Sequence, residues 1–345
     1  MSGAGTGAGV RMRLRSAAGA LPGEPVDNAE LQARLGLSAE WVDRFVGTRT
    51  RHFALGTTDL AGLCTTAART ALASAGTGAQ RMDFVVLATA TPDALMPTTA
   101  AVVADRLGIS GVPVFQLQSG CSGTVQALAL AEAMLVSGAG QGLVIGGDVC
   151  TKHLALDRDF RRMPPAELVN YVLFGDGAGA AVVSAEAGPG SADCVAVRHR
   201  PVRPGLPPGQ RVEWYGAADL GSAEPAPPVS EDYKAVQRLV PELAGQEGEE
   251  LLGLVGWSGQ DLDHLLPPQL GGLMTERITA ELRRVLKADR AAEVSCVAET
   301  GNTGNALLLL QLARLLPRLS PGEKALALCV ESSHWISAGL ALEAS

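Results

Sequence analysis

The 345 residues predict a duplicated α/β protein, in which two copies of one strand–helix unit pack as layered halves about a pseudo-two-fold axis. Three observations carry the prediction. "SGCSG" at 119–123 and "TGNTG" at 300–304 lie 181 residues apart, and each opens a long apolar stretch, "TVQALALAEAML" and "NALLLLQLARLL". The same offset carries strand-like "DFVVLATA" (83–90) onto "HLLPPQLG" (264–271). Short apolar strands also alternate with helical segments, the pattern of parallel strands covered by helices.

Taken in order, residues 1–9 read as a disordered leader, 10–185 as the first half and 186–345 as the second. In the first half, "DLAGLCTTAARTALASAG" (59–76) reads as a helix ahead of strand 83–90, and "GLVIGGDVC" (142–150) as a buried strand behind the 119–123 turn. Their counterparts are the helix "DYKAVQRLVPELAGQ" (232–246) and the strand within "ALALCVESSHW" (325–335). The Pro/Gly-rich stretches 200–210 and 221–230 read as surface loops, either a mouth over the site or plain connections.

Composition narrows the function. Net charge is −8 with no basic stripe, which excludes nucleic acid as the main partner. No apolar run is long enough for a membrane span, and the N-terminus lacks a signal core. Six cysteines without paired spacing read as free thiols in a reducing cytoplasm. No CxxC or HExxH spacing supports a metal site.

Ligands in folded units of this kind gather where loops leave the strand C-termini. The duplication therefore draws Cys121, Asn302 and the loops at 146–153 and 331–335 toward one crevice. Cys121 stands at a helix N-terminus, whose free amides and partial positive charge lower a thiol's pKa and favour the nucleophilic thiolate. The competing reading is a small thiol packed into a helix start.

Four blocks then resemble the β-ketoacyl-ACP synthase III family of the thiolase superfamily: "WVDRFVGTRTRHFA" (41–54), "SGCSG", "LFGDGAGAAVV" (173–183) and "GNTGNA" (301–306). The resemblance implies a thiolase fold, with βαβαβαββ halves in a layered αβαβα arrangement, and a homodimer without a bound cofactor. It also implies a Cys121 acylated by an acyl-CoA or acyl-carrier-protein thioester. By the same resemblance Asn302 matches a catalytic asparagine, Trp41 a residue that stacks the CoA adenine, and Met96, in "MPTTAAVVADRLG", the tip of a segment lining the acyl pocket. "LFGDGAG" corresponds to a tight strand-to-strand connection.

Two departures redirect the expected chemistry. Where the family has Pro-His-Gln-Ala-Asn, this chain has "LPPQLGG" (266–272), so Pro268 replaces the histidine and Gly271 the asparagine. Proline has no proton to exchange, so decarboxylative condensation loses its assistant. Where the family has a glycine loop, "ESSHW" places Ser332, Ser333 and His334. His334 is accordingly expected to take over acid–base work, with His153 in reserve. Amides at Cys121 and Ser333 are expected to hold the oxyanion, and Glu299 and Glu331 to flank the crevice.

The expected function is a cytoplasmic acyltransferase of specialised metabolism, moving an acyl group through Cys121 to a hydroxyl, amine or carrier thiol of an acceptor. The alternatives are a condensing enzyme with a rebuilt site and a non-catalytic heterodimer partner.

Overall fold

The computed structural model describes residues 10–36, 39–154, 165–213 and 229–345, so the expected leader at 1–9 lies outside the described residues. The first half runs β1 (Arg13–Ala20), α1 (Leu60–Ser74), β2 (Val85–Thr89), α2 (Thr99–Leu107), β3 (Val114–Gln118), α3 (Gly123–Val136), β4 (Gln141–Asp148) and β5 (Gly177–Ser184). The second repeats it as β6 (Ala192–Pro201), α4 (Tyr233–Val255), β7 (His264–Leu266), α5 (Gly272–Leu286), β8 (Ala292–Glu293), α6 (Leu307–Leu315), β9 (Lys324–Glu331) and β10 (Ile336–Ala344). Each half is βαβαβαββ.

Strand order shows the duplication directly. The ten strands hydrogen-bond in the order β8-β7-β9-β10-β6-β1-β5-β4-β2-β3, which reads the same from either end once repeats are matched. Within each half the outer pairs are parallel and the last strand returns antiparallel. The halves meet at two residue pairs between β1 and β6, Arg13 with Asp193 and Leu14 with Ala192.

Strand alternation builds the layers. On β2 and β4, Val85, Leu87, Leu143 and Ile145 face α1 and α2. Their neighbours Val86, Ala88 and Val144 face inward to α3 and α6. The central core is shared by both halves, because Leu308 and Leu312 of α6 and Ala327 and Leu340 of the second half join it. A third core covers the other face of the second half with α4 and α5. Sheet strands buried on both faces are apolar throughout, which is why their sequences do not alternate. The thiolase arrangement expected from the sequence is borne out.

The 181-residue repeat is also a contact. The Thr124 hydroxyl donates to the Asn305 carbonyl at 2.5 Å, two equivalent positions meeting near the axis. Gly123 and Gly304 allow that approach. A Cβ on Gly123 would stand 2.4 Å from Asn305 Oδ1, and one on Gly304 (φ +54°) would stand 2.2 Å from Asp148 Oδ2.

One expectation needs correcting. "LFGDGAG" joins the helix Pro165–Leu173 to β5, not two strands. Asp176 there accepts from Ala54 N, Thr151 N and Thr151 Oγ1, tying three segments together.

Candidate active site

Cys121 follows β3 and precedes the first turn of α3, half-buried. It lines two cavities. One is apolar and bounded by Thr91, Asp148, Cys150, His153, Phe174 and Gly304, with Gln210, Val212 and Val229 toward the outside. The other is bounded by Pro267, Pro268, Gln269, Leu307, Cys329 and Val330. So the proline in place of the family histidine faces the same space as the sulfur. Neighbouring Gln269 spends its carbonyl oxygen on Ser295 Oγ, Cys296 N and Val297 N.

A carboxylate that the sequence singled out only as flanking proves central. Glu331, 5% exposed, ends β9 against the start of α3. It accepts from Ser119 Oγ (3.0 Å), Ser122 N (3.3 Å), Ser122 Oγ (2.6 Å) and Ser333 Oγ. Ser122 occupies the N-cap position of α3 but makes no side-chain cap bond; its hydroxyl goes to Glu331 instead. On its other side Ser122 Oγ lies 3.1 Å from His199 Nε2, on β6. Four donors from three serines and a backbone amide are the signature of an ionised acceptor. Burial pushes Glu331 up, but the bonds from Ser122, Ser333 and Ser119 outweigh it and leave the carboxyl below its usual value.

The thiol behaves opposite to the expectation from the helix terminus. Burial, then the nearby charges of Glu331 and Asp148, hold Cys121 well above the ordinary thiol value. At rest Cys121 is therefore a thiol, and any attack by its sulfur requires that proton to leave. His153, half-buried in the apolar cavity, is kept below its usual value by burial and by Lys152, so it is a neutral imidazole at pH 7.

The structure distributes the other expected residues as follows. His334 is exposed in the turn between β9 and β10 and lines neither cavity that Cys121 lines, so it is not brought to the sulfur. Trp335 takes the inside position instead, 1% exposed, with φ 49° and its indole N–H on Pro207 O at 2.8 Å. Asn302 is buried, its side-chain oxygen accepting from Gly304 N at 3.0 Å; Gly304, not Asn302, lines the cavities. Ser333 lies on the outer mouth with its hydroxyl on Glu331. Met96 is 86% exposed and lines no cavity with Cys121. Trp41 lies in the helix Ala39–Phe45, and its side chain is outside the described residues. Glu299 pairs with Arg49 and Arg314 away from the cavities.

The loop at 200–210 forms a mouth. Gly209 N bonds Ser332 O, Val202 N bonds Trp335 O, and Gln210 lines the same cavity as Cys121. Most of the second Pro/Gly-rich stretch lies outside the described residues, but Val229 at its end lines the cavity.

Comparison with known proteins places this arrangement. The sequence pattern of 3-oxoacyl-[acyl-carrier-protein] synthase III matches residues 115–198. The β-ketoacyl-[acyl-carrier-protein] synthase III 3 of Streptomyces coelicolor is 33% identical over 318 residues, 89% of each chain. The chain belongs to the β-ketoacyl-ACP synthase III family. Another relative is the acetoacetyl CoA synthase NphT7 of a Streptomyces species, 32% identical over 86% of this chain and 87% of that one. Among solved structures, AbyA1, described as a tetronic acid condensing enzyme, is 52% identical with a TM-score of 0.90, covering 96% of this chain and 99% of its own. The FabH of Pseudomonas aeruginosa PAO1 is 30% identical with a TM-score of 0.82, covering 96% and 98%. Like its relatives, this chain is an enzyme of acyl transfer or condensation. Among the described residues no helix is long and apolar enough to cross a membrane.

Proposed function

We propose that this chain is an acyltransferase of natural-product biosynthesis, which accepts an acyl group from a CoA or carrier-protein thioester on Cys121. It then passes that group to an acceptor hydroxyl, amine or carrier thiol. The observation that carries the reading is Pro268 beside Cys121: the sulfur is retained and the residue that assists decarboxylation is not. In loading, the Cys121 sulfur attacks the thioester carbonyl, its proton ends on the departing thiol, and the acyl group stays on the sulfur. In release, the acceptor loses a proton to neutral His153 and attacks the acyl-cysteine. The backbone amide of Cys121 is the proposed oxyanion donor, typically worth about 3 kcal/mol; Ser333, expected beside it, lines neither cavity that Cys121 lines. Asn302 orients the turn before α6 through Gly304 N.

The likeness to AbyA1 favours a second reading, a condensation that closes a tetronic acid ring. Such a ring needs one ester C–O bond and one C–C bond. A carbon flanked by two carbonyls supplies the C–C bond by losing a proton, not carbon dioxide, so the missing histidine is no obstacle. Both readings load Cys121 first. Intact-protein mass spectrometry after incubation with a panel of acyl-CoAs and acyl-carrier proteins should show an adduct on the wild type and none on Cys121→Ala. An adduct of equal yield on the alanine variant overturns both. Offering the loaded enzyme a hydroxyacyl thioester then separates them, an open ester against a ring.

A further inference from the structure

Two carboxylates, Glu331 and Asp148, act on the Cys121 sulfur. Among the described residues lining its two cavities there is no lysine or arginine. Asp148 lines the inner one, and Glu331 lines the adjoining outer cavity of ≈ 430 Å³ with Ser119, Ser333 and Arg211. Arg211 is committed at 2.5 Å to Glu213, which lines the same outer cavity. Across Ser122, His199 is kept below its usual value by burial, against the pull of Glu331 and Glu247, and so is neutral. Glu231, on the strand Val229–Glu231, is raised by burial to about 7. Glu331 thus carries a full negative charge that no described cation pairs. It presses on the backbone just before the nucleophile: a Cβ on Gly120 would stand 3.0 Å from its carboxyl carbon.

We infer that Glu331 is a specificity-determining residue that excludes acyl groups carrying a negative charge, so that Cys121 takes uncharged or cationic acyl groups and rejects the malonyl type. The inference rests on Cys121 being the acyl carrier. Glu331 is buried against Ser119, Gly120 and Ser122 on either side of Cys121, so an anionic acyl group on that sulfur would enter the field of a poorly screened like charge and be repelled. The serines cannot relieve it, because their hydroxyls are already spent on Glu331. Only recognition of the acyl group is altered; the exchange itself forms the Cys121 S–C bond, breaks the donor C–S bond and returns the proton to the donor thiol.

Three pantetheine thioesters of similar size test this: acetoacetyl (neutral), malonyl (anionic) and β-alanyl (cationic). Single-turnover loading of Cys121, read by intact mass, should favour acetoacetyl and β-alanyl over malonyl by about thirtyfold in the wild type. Glu331→Gln should narrow the acetoacetyl-to-malonyl ratio to about threefold, and Glu331→Asp, which keeps the charge, should preserve it. Should the glutamine variant not fold, the ranking of the wild type and the aspartate variant still decides. Equal loading of malonyl and acetoacetyl by the wild type, or an unchanged ratio in a folded Glu331→Gln, overturns the inference and leaves the acyl-carrier reading standing. No loading of Cys121 by any of the three takes down both.

Discussion

Asp148 clamps the two halves together, and Asp148→Asn measures how firmly. Its Oδ1 accepts from Thr89 Oγ1 (3.0 Å), Ala90 N (2.7 Å) and Thr91 Oγ1 (3.1 Å). Its Oδ2 accepts from Asn305 N (2.8 Å) and Asn305 Nδ2 (2.9 Å), in the second half. Asparagine keeps the shape but replaces one acceptor by a donor. Placed toward Asn305, the new NH2 would face two N–H groups, so it turns instead toward the threonines, whose hydroxyls can rotate. That orientation still orphans Ala90 N, at about 1.5–3 kcal/mol, and weakens the two bonds from Asn305 by about 0.5–1 kcal/mol each as the charge disappears. Burial opposes the charge, holding the Asp148 carboxyl above its usual value, so neutralising it recovers about 1 kcal/mol. The net expected loss is about 1.5–4 kcal/mol. Urea denaturation followed by far-ultraviolet circular dichroism should show the midpoint falling at unchanged slope. A variant within about 0.5 kcal/mol of the wild type refutes the clamp.

Four further outcomes follow from the site. His153→Ala should slow acyl release by about a hundredfold in single-turnover assays, whereas His334→Ala should leave loading and release within about twofold. Because burial and Lys152 lower His153, release should rise with pH to a plateau with its half-point below 6.5; a half-point above 6.5 removes His153 as the base. Glu331 is lowered on folding, so its stabilisation is present above 4.5 and lost as pH falls through its folded value; a pH series of melts should fall less steeply in acid for Glu331→Gln than for the wild type. Malonyl-CoA, with or without a primer, should release little carbon dioxide, and rapid release with a β-ketoacyl product would install the decarboxylative mechanism instead.

The fold was legible because duplication writes itself in one dimension. A repeat at constant offset, with glycines ahead of an apolar helix in both copies, needs no knowledge of packing to be seen, and Thr124 touching Asn305 is its physical consequence. Cys121 and Pro268 were legible for the same reason: a position in a repeat or a block is a sequence property. The chain's own tertiary contacts decided the rest. In "ESSHW" two adjacent residues compete for one inward place, and a tight turn admits a single large side chain. Trp335 buries more apolar surface than a histidine and can donate its N–H to Pro207, so it takes the inside and His334 is left in water. Glu331 could not be ranked above other glutamates by sequence, since its significance comes from serines 209 and 212 positions away. The sign of the thiol's shift was likewise a tertiary matter. A helix terminus is local and lowers it, but burial and two carboxylates brought from β4 and β9 act on the same sulfur and outweigh that terminus.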